Sequence, residues 1–251
     1  MDWRSHDGIE WLEAELPGAR AAFSTRTGGV SSGAFESLNL GILTEDEAAD
    51  VTANRLLLAG ALGLEAESVA MGRQVHGTGL AFHHDRPAHS YFAHPGPPPE
   101  EVDGQLSDRD DLALLVLVAD CLPVALAGEG GIAMLHCGWR GLAGGIIAEA
   151  AGRIGATAAA VGPGIGPCCF EVGPEVFEAF SSHGEGVRHG NNLDLSQVAA
   201  TELERAGVEA IEVAEVCTYC DEKRFFSHRR DHGITGRQAG IACPVGGGGG
   251  D

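Results

Sequence analysis

The sequence predicts an α/β (α+β) fold, a single-domain layered sandwich in which mixed sheets pack between helices. Three observations carry this expectation. Strand-like apolar runs and helix-like segments alternate along nearly all of the 251 residues. The stretch 112-LALLVLVADC-121 is continuously apolar with no helical polar face, which suits a strand buried on both sides. Neither segment of loose composition divides the chain, so one domain is expected over residues 1–245, with 246-GGGGGD-251 as a flexible glycine-rich tail.

The elements follow in order. A strand at 21–26 leads into the glycine-rich loop TGGVSSGAFESLNLG. Residues 46–64 carry Val51, Leu56, Leu57 and Leu58 near helical spacing with acidic residues at the start, and predict a helix. The run 69–77 reads as a strand ending at a glycine. The His- and Pro-rich segment 83–101 then reads as a long surface loop, its histidines His83, His84, His89 and His94 solvated. Strands are expected at 112–121, 123–128 and 131–138, a helix at 142–155 despite its glycines, and a strand at 158–166. Helices at 174–180 and 194–207 and strands at 211–217 and 237–243 complete the pattern.

Composition narrows the partners. Lys and Arg total 16 against 36 Asp and Glu, a formal charge of -20 that repels phosphate backbones and anionic lipid. Nucleic acid and membrane are therefore excluded as expected partners. A small phosphate-bearing or nucleoside substrate stays open, because a few arginines reverse the potential locally. The first twenty residues lack a basic start followed by an apolar stretch, so no signal peptide is expected. An odd count of seven Cys fits reduced thiols in the cytosol better than a disulfide framework.

Polar side chains recur at the carboxyl ends of apolar runs, where open α/β sheets build ligand sites. His76 ends QVHG, Cys121 ends VADC and His136 lies near the end of MLHCG. Taken singly, each histidine reads as a hydrogen-bonded residue and the cysteine as a small core hydrophobe. Taken together, two imidazoles and a thiolate make a zinc ligand set, and three protein ligands plus water is the catalytic arrangement. Asp120 is either an acceptor that orients a ligating histidine or a strand-end aspartate before the turn at Pro123. Cys137 points to the face opposite His136 and is expected to pack. Arg140, just before a helix, either binds phosphate or stacks on Trp139. Arg229 and Arg230, with Arg237 nearby, put positive charge in an acidic chain and suit an anion. The loop 162-GPGIGPCCFEVG-173 shapes a pocket but lacks the lysine and Ser/Thr of a phosphate loop, and its Cys168 and Cys169 are possible nucleophiles only in an electropositive setting. The pair 217-CTYC-220 has CxxC spacing without a second CxxC, which argues against a zinc knuckle.

Six stretches in order, 24-STRTGGVSSGAFESLNLG-41, QVHG, 119-ADCLPV-124, 136-HCGWRG-141, 162–173 and 227-SHRRDHGITGRQ-238, resemble the YfiH-type family, described as purine nucleoside phosphorylases and formerly as multicopper polyphenol oxidases (laccases). The resemblance implies a zinc site at His76, Cys121 and His136, the residues that strand-end position also selects. It implies phosphorolysis of adenosine, inosine and methylthioadenosine, and hydrolytic deamination of adenosine. In that reading Arg140, Arg229 and Arg230 hold phosphate, Asp120 is a candidate proton donor to the purine, and Trp139 or Phe170 stacks on the base. The alternative is a cysteine hydrolase or amidase acting on muropeptides, with Cys121 as nucleophile and His136 or His76 as base. A polyphenol oxidase requires more paired histidine motifs than the chain offers.

Overall fold

The computed structural model describes residues 1–94 and 100–245; the glycine-rich tail lies outside the described residues. The chain opens with β1 (Asp2–His6), β2 (Ile9–Leu16) and β3 (Ala19–Ser24), an antiparallel meander. The β1–β2 turn is Asp7–Gly8, both at positive φ, the chemistry that a tight hairpin requires. Helix α1 (Ala48–Ala61) precedes the short strands β4 (Val69–Met71), β5 (Leu80–His83) and β6 (Gly104–Ser107). Next come β7 (Ala113–Val118), β8 (Leu122–Gly128) and β9 (Gly131–Cys137). The expected helix at 142–155 is two helices, α2 (Trp139–Ala143) and α3 (Ile146–Ile154), because Gly145 takes a left-handed conformation (φ 83°) between them. Strand β10 (Ala156–Val161), α4 (Pro174–Ala179), the two-residue strands β11 (Arg188–His189) and β12 (Asn192–Leu193), α5 (Leu195–Arg205), β13 (Ala210–Val213) and β14 (Gln238–Pro244) follow. Among the described residues no helix is long and apolar enough to cross a membrane.

These strands form two six-stranded mixed sheets, ordered β1-β2-β3-β14-β7-β4 and β13-β10-β8-β9-β6-β5. The continuous apolar run of β7 follows from its position. Leu114, Val116 and Val118 face the second sheet, while Ala113 and Leu115 face the layer that contains Leu58 and Ala59 of α1. The seam between the sheets is lined by small residues on the second-sheet side, with Ala125, Ala127, Ala158 and Ala160 opposite Leu114, Val116 and Phe23. The outer face of the second sheet is covered by Ile146, Ile147 and Ile154 of α3 and by Val198 and Leu203 of α5. The result is helix, sheet, sheet, helix, as the sequence predicts.

Two local expectations change. The loop after β5 is anchored rather than wholly solvated: Phe92 is buried, and the buried Arg55 guanidinium donates to the Tyr91 and Phe92 carbonyls. His83 lies within β5 against Gln105 rather than in the loop, whereas His84, His89 and His94 stay exposed as expected, on Asp108, the His94 carbonyl and Glu67.

The alanine-lined seam predicts a steric response. Ala160→Leu should lower stability by about 1–3 kcal/mol through overpacking, read from the urea unfolding midpoint. Thr157→Leu, at an exposed position of the same strand, should stay within about 0.5 kcal/mol. Equal stabilities for the two variants would show that the seam is not close-packed.

Candidate active site

Cys121 occupies the three-residue connection Ala119–Cys121, where the chain leaves β7 in the first sheet and enters β8 in the second. His76 follows β4 of the first sheet, and His136 is the penultimate residue of β9 in the second. Neighbouring strands bring them together in pairs: His76 and Cys121 follow the parallel neighbours β4 and β7, and Cys121 precedes β8, which pairs with β9 at His136. They meet where the two sheets come together, with their ligand atoms within 4.8 Å of one another. The two imidazole rings stand edge to face with centroids 4.8 Å apart. Gly138 closes the base of the group, since a Cβ there would lie 3.2 Å from both Cys121 Sγ and His76 Cδ2.

One carboxylate holds this arrangement. Asp103 is fully buried and accepts hydrogen bonds from the amides of Val75 (3.2 Å), His76 (2.9 Å) and Gly77 (2.7 Å). It also pairs with His136 Nδ1 at 2.7 Å, which leaves Nε2 as that ring's free nitrogen. The three amides wrap the carboxylate and hold His76 at φ 61°, a conformation that a non-glycine residue rarely adopts. Gln74 adds a second anchor: its amide donates to the Leu117 carbonyl at 2.6 Å and accepts from the Leu117 N–H at 2.8 Å. Burial raises the Asp103 carboxyl, but the hydrogen bonds from His136, Gly77 and Val75 and the His136 charge outweigh it and leave its pKa lowered. Sequence reading missed Asp103, whose VDGQ setting carries no motif.

Burial also opposes ionisation of Cys121, yet the charge and hydrogen bond of His136, with a hydrogen bond from His76, bring its thiol from 9.0 down to about 6. Burial pushes His136 down, and Cys121 and Asp103 together lift it from 6.5 to about 9. Cys137 points the other way into the core and is pushed well up by burial. The donor set and its crowding fit a single zinc ion: two imidazoles and one ionised thiolate face a common point, and the exposed His76 ring leaves one side open to solvent.

The surrounding residues divide into engaged and available groups. Asp120, itself at φ 88°, accepts from the Thr218 hydroxyl (2.7 Å) and the Arg229 amide (2.7 Å), so both of its oxygens tie loops together and neither orients a ligating histidine. Arg230 is committed to Asp231 and to the carbonyls of Thr218, Tyr219 and Phe225. Arg229 lies over Phe170, 5.3 Å from the ring centroid, with one nitrogen on the Glu171 carbonyl. Arg140 stacks on Trp139 at 4.5 Å and makes no ion pair among the described residues. The half-buried Arg237 lies close enough to Cys121 and Asp120 to feel their charge, although burial lowers its pKa overall. The CTYC pair, expected to lack a partner, meets Cys168 and Cys169 in a second cluster.

Residues 20–244 match the family model described as multi-copper polyphenol oxidoreductase laccase, and the chain belongs to that family. It is 37% identical over 235 residues to purine nucleoside phosphorylase YfiH of Shigella flexneri, covering 88% of this chain and 92% of that protein. It is 35% identical over 261 residues to purine nucleoside phosphorylase YlmD of Geobacillus stearothermophilus, with coverages of 90% and 92%. The crystal structure of Bacillus licheniformis hypothetical protein YfiH superposes with a TM-score of 0.88 at 29% identity, over 96% of this chain and 98% of that one. The family resemblance carried by the six sequence stretches is thereby borne out.

Two outcomes follow from the Asp103 network. Asp103→Asn should weaken metal binding by the His76, Cys121 and His136 group about 10–100-fold, measured with added zinc by competition with a chromophoric chelator; unchanged affinity would remove Asp103 from the account. In the metal-free protein, the stability that this pair contributes should change little between pH 6.5 and about 9, because the two shifts offset each other as pH changes. His136, raised in the fold, contributes fully below 6.5 and loses its contribution as pH rises through about 9. Cys121, lowered in the fold, contributes fully above 9.0 and loses its contribution as pH falls through about 6. Urea unfolding across this range reads it, and a steep change of midpoint that vanishes in a Cys121→Ser, His136→Gln double variant would contradict it.

Proposed function

We propose that this protein is a zinc-dependent purine nucleoside phosphorylase acting on adenosine, inosine and methylthioadenosine, with adenosine deaminase activity. The observation that carries the reading is the convergence of His76, Cys121 and His136 on one solvent-open point within the sheet seam. The relatives named purine nucleoside phosphorylase, matched over about nine-tenths of both chains, support the substrate class.

Zinc, when bound by His76, Cys121 and His136, supplies a Lewis acid that polarises an oxygen and makes water more acidic. The chain's own residues do the rest. Arg140 and Arg229 hold phosphate, each guanidinium kept in place by stacking on Trp139 or Phe170, so little freedom is lost on binding. Arg230, bound to carbonyls and Asp231, positions the segment that carries Arg229 and is not itself the phosphate ligand. Phosphate held this way attacks the ribose C1′ carbon as the C1′–N bond to the purine breaks, its own negative charge stabilises developing positive charge on the sugar, and the leaving purine takes its proton from solvent. Asp120 is assigned to positioning, because both of its oxygens already accept hydrogen bonds.

One observation favours a second reading. Cys121, His136 and Asp103 form a connected thiol, imidazole and carboxylate, an arrangement that also serves a cysteine hydrolase or amidase. Stoichiometric zinc on Cys121 would occupy the thiolate and disfavour that chemistry. Polyphenol oxidation is not favoured, since among the described residues only one metal-type cluster contains histidine.

Incubation with adenosine, followed by chromatographic separation of adenine, inosine and hypoxanthine, tests the proposal. Adenine should form only when phosphate is present, and inosine with or without it. His76→Ala should abolish zinc retention at the His76, Cys121 and His136 group and both products, whereas Arg229→Ala should raise the KM for phosphate about ten- to hundredfold. Full turnover in a metal-free His76→Ala protein would sink the reading.

A further inference from the structure

Cys168, Cys169, Cys217 and Cys220 account for four of the seven cysteines in the chain, and their sulfurs all lie within 4.8 Å of one another. Packing does not explain the group. Cys137 and Cys243 are buried in the core, as free cysteines usually are, but Cys168 and Cys220 are exposed and Cys169 and Cys217 half-buried. All four are free thiols.

The fold brings them together from two directions. β10 and β13 are parallel neighbours in the second sheet, so their carboxyl ends emerge side by side. The loop after β10 carries Cys168 and Cys169, and the turn after β13 carries Cys217 and Cys220. A bridge between Gly164 and Cys217 and the Thr218 N–H donating to the Gly164 carbonyl join the two loops. The absence of a side chain at Gly166 lets the sulfurs approach, since a Cβ there would lie 3.2 Å from Cys217 Cβ and 3.4 Å from Cys168 Sγ. The Gly166 amide also points at Cys217 Sγ, at 3.2 Å, a contact that favours thiolate over thiol.

We propose that Cys168, Cys169, Cys217 and Cys220 form a second metal site, which takes one zinc ion in tetrahedral four-thiolate coordination. Cys220 Sγ lies 3.6 Å from Cys168 Sγ and 3.4 Å from Cys169 Sγ. A tetrahedral zinc site with Zn–S bonds of about 2.3 Å has sulfur–sulfur edges of about 3.8 Å, so closure needs only small side-chain movements. Four protein ligands leave no open position, and the role is structural. The ion cross-links the two loops that hold Asp120: the Ile165 amide donates to the Asp120 carbonyl and the Thr218 hydroxyl to its carboxylate. Arg230 is bound to the same turn through the Thr218 and Tyr219 carbonyls.

The site shares no residue with the His76, Cys121 and His136 group, so the two can be tested separately. Full-length protein is purified under reducing conditions with zinc supplied, and zinc per chain is measured by mass spectrometry. His76→Ala protein should retain one zinc per chain. His76→Ala/Cys220→Ser and His76→Ala/Cys168→Ser should each lose it, with circular dichroism reporting that the fold is kept. Cobalt in place of zinc in His76→Ala protein should give the strong sulfur-to-cobalt charge-transfer band of a four-thiolate site. Zinc in His76→Ala protein that neither cysteine substitution removes overturns the proposal. Absence of zinc from that protein, or a disulfide between any two of the four cysteines, overturns it as well. None of these outcomes depends on nucleoside turnover.

Discussion

The buried carboxylate of Asp103 is the constraint on which the site depends. It accepts three consecutive amides of the first-sheet segment that carries His76 and pairs with the ring of His136 in the second sheet. A buried carboxylate is costly unless its lone pairs are satisfied, and these four N–H groups satisfy them. The same contacts fix two things that a ligand site needs: the uncommon backbone of His76 and the nitrogen that His136 presents. Removing the carboxylate would therefore release both histidines, one through its backbone and the other through its ring.

The location of the site follows from topology. The chain passes from one sheet to the other between Val118 and Leu122, and Cys121 sits in that passage. Regular strands satisfy their own backbone groups, so polar side chains with free functional atoms concentrate where the ladder stops. The alanine-rich seam lets the sheets pack closely and brings the ends of β4, β7 and β9 within reach of one another. Arginines with stacked guanidinium groups then supply positive charge in a chain whose formal charge is -20.

The fold class, the long buried strand β7 and the three residues His76, Cys121 and His136 were legible in the sequence, because strand-end position and ordered motifs both mark them. Asp103 was not, since its acceptors serve residues 26 to 33 positions away and leave no local pattern. The hairpin of β1 and β2 did carry a signal, Asp7–Gly8 between alternating residues, although β1 is exposed and lacks an apolar face. Strands β5 and β6, of four residues each, are too short for periodicity to reveal. A second CxxC was the wrong partner to seek for Cys217 and Cys220, because parallel strand ends deliver the adjacent pair Cys168 and Cys169 instead. Arg230 and Asp120 read as reactive groups in sequence, yet hydrogen bonds commit both to holding loops.

The central claim is that the sheet seam holds one catalytic metal between His76, Cys121 and His136. Anomalous diffraction at the zinc edge, from crystals grown with zinc, tests it most directly. The account predicts a peak about 2.0–2.1 Å from a ring nitrogen of His76 and from His136 Nε2, and about 2.3 Å from Cys121 Sγ, with Asp103 still paired to His136 Nδ1. A seam without anomalous density, while zinc is bound elsewhere on the same chain, would contradict it.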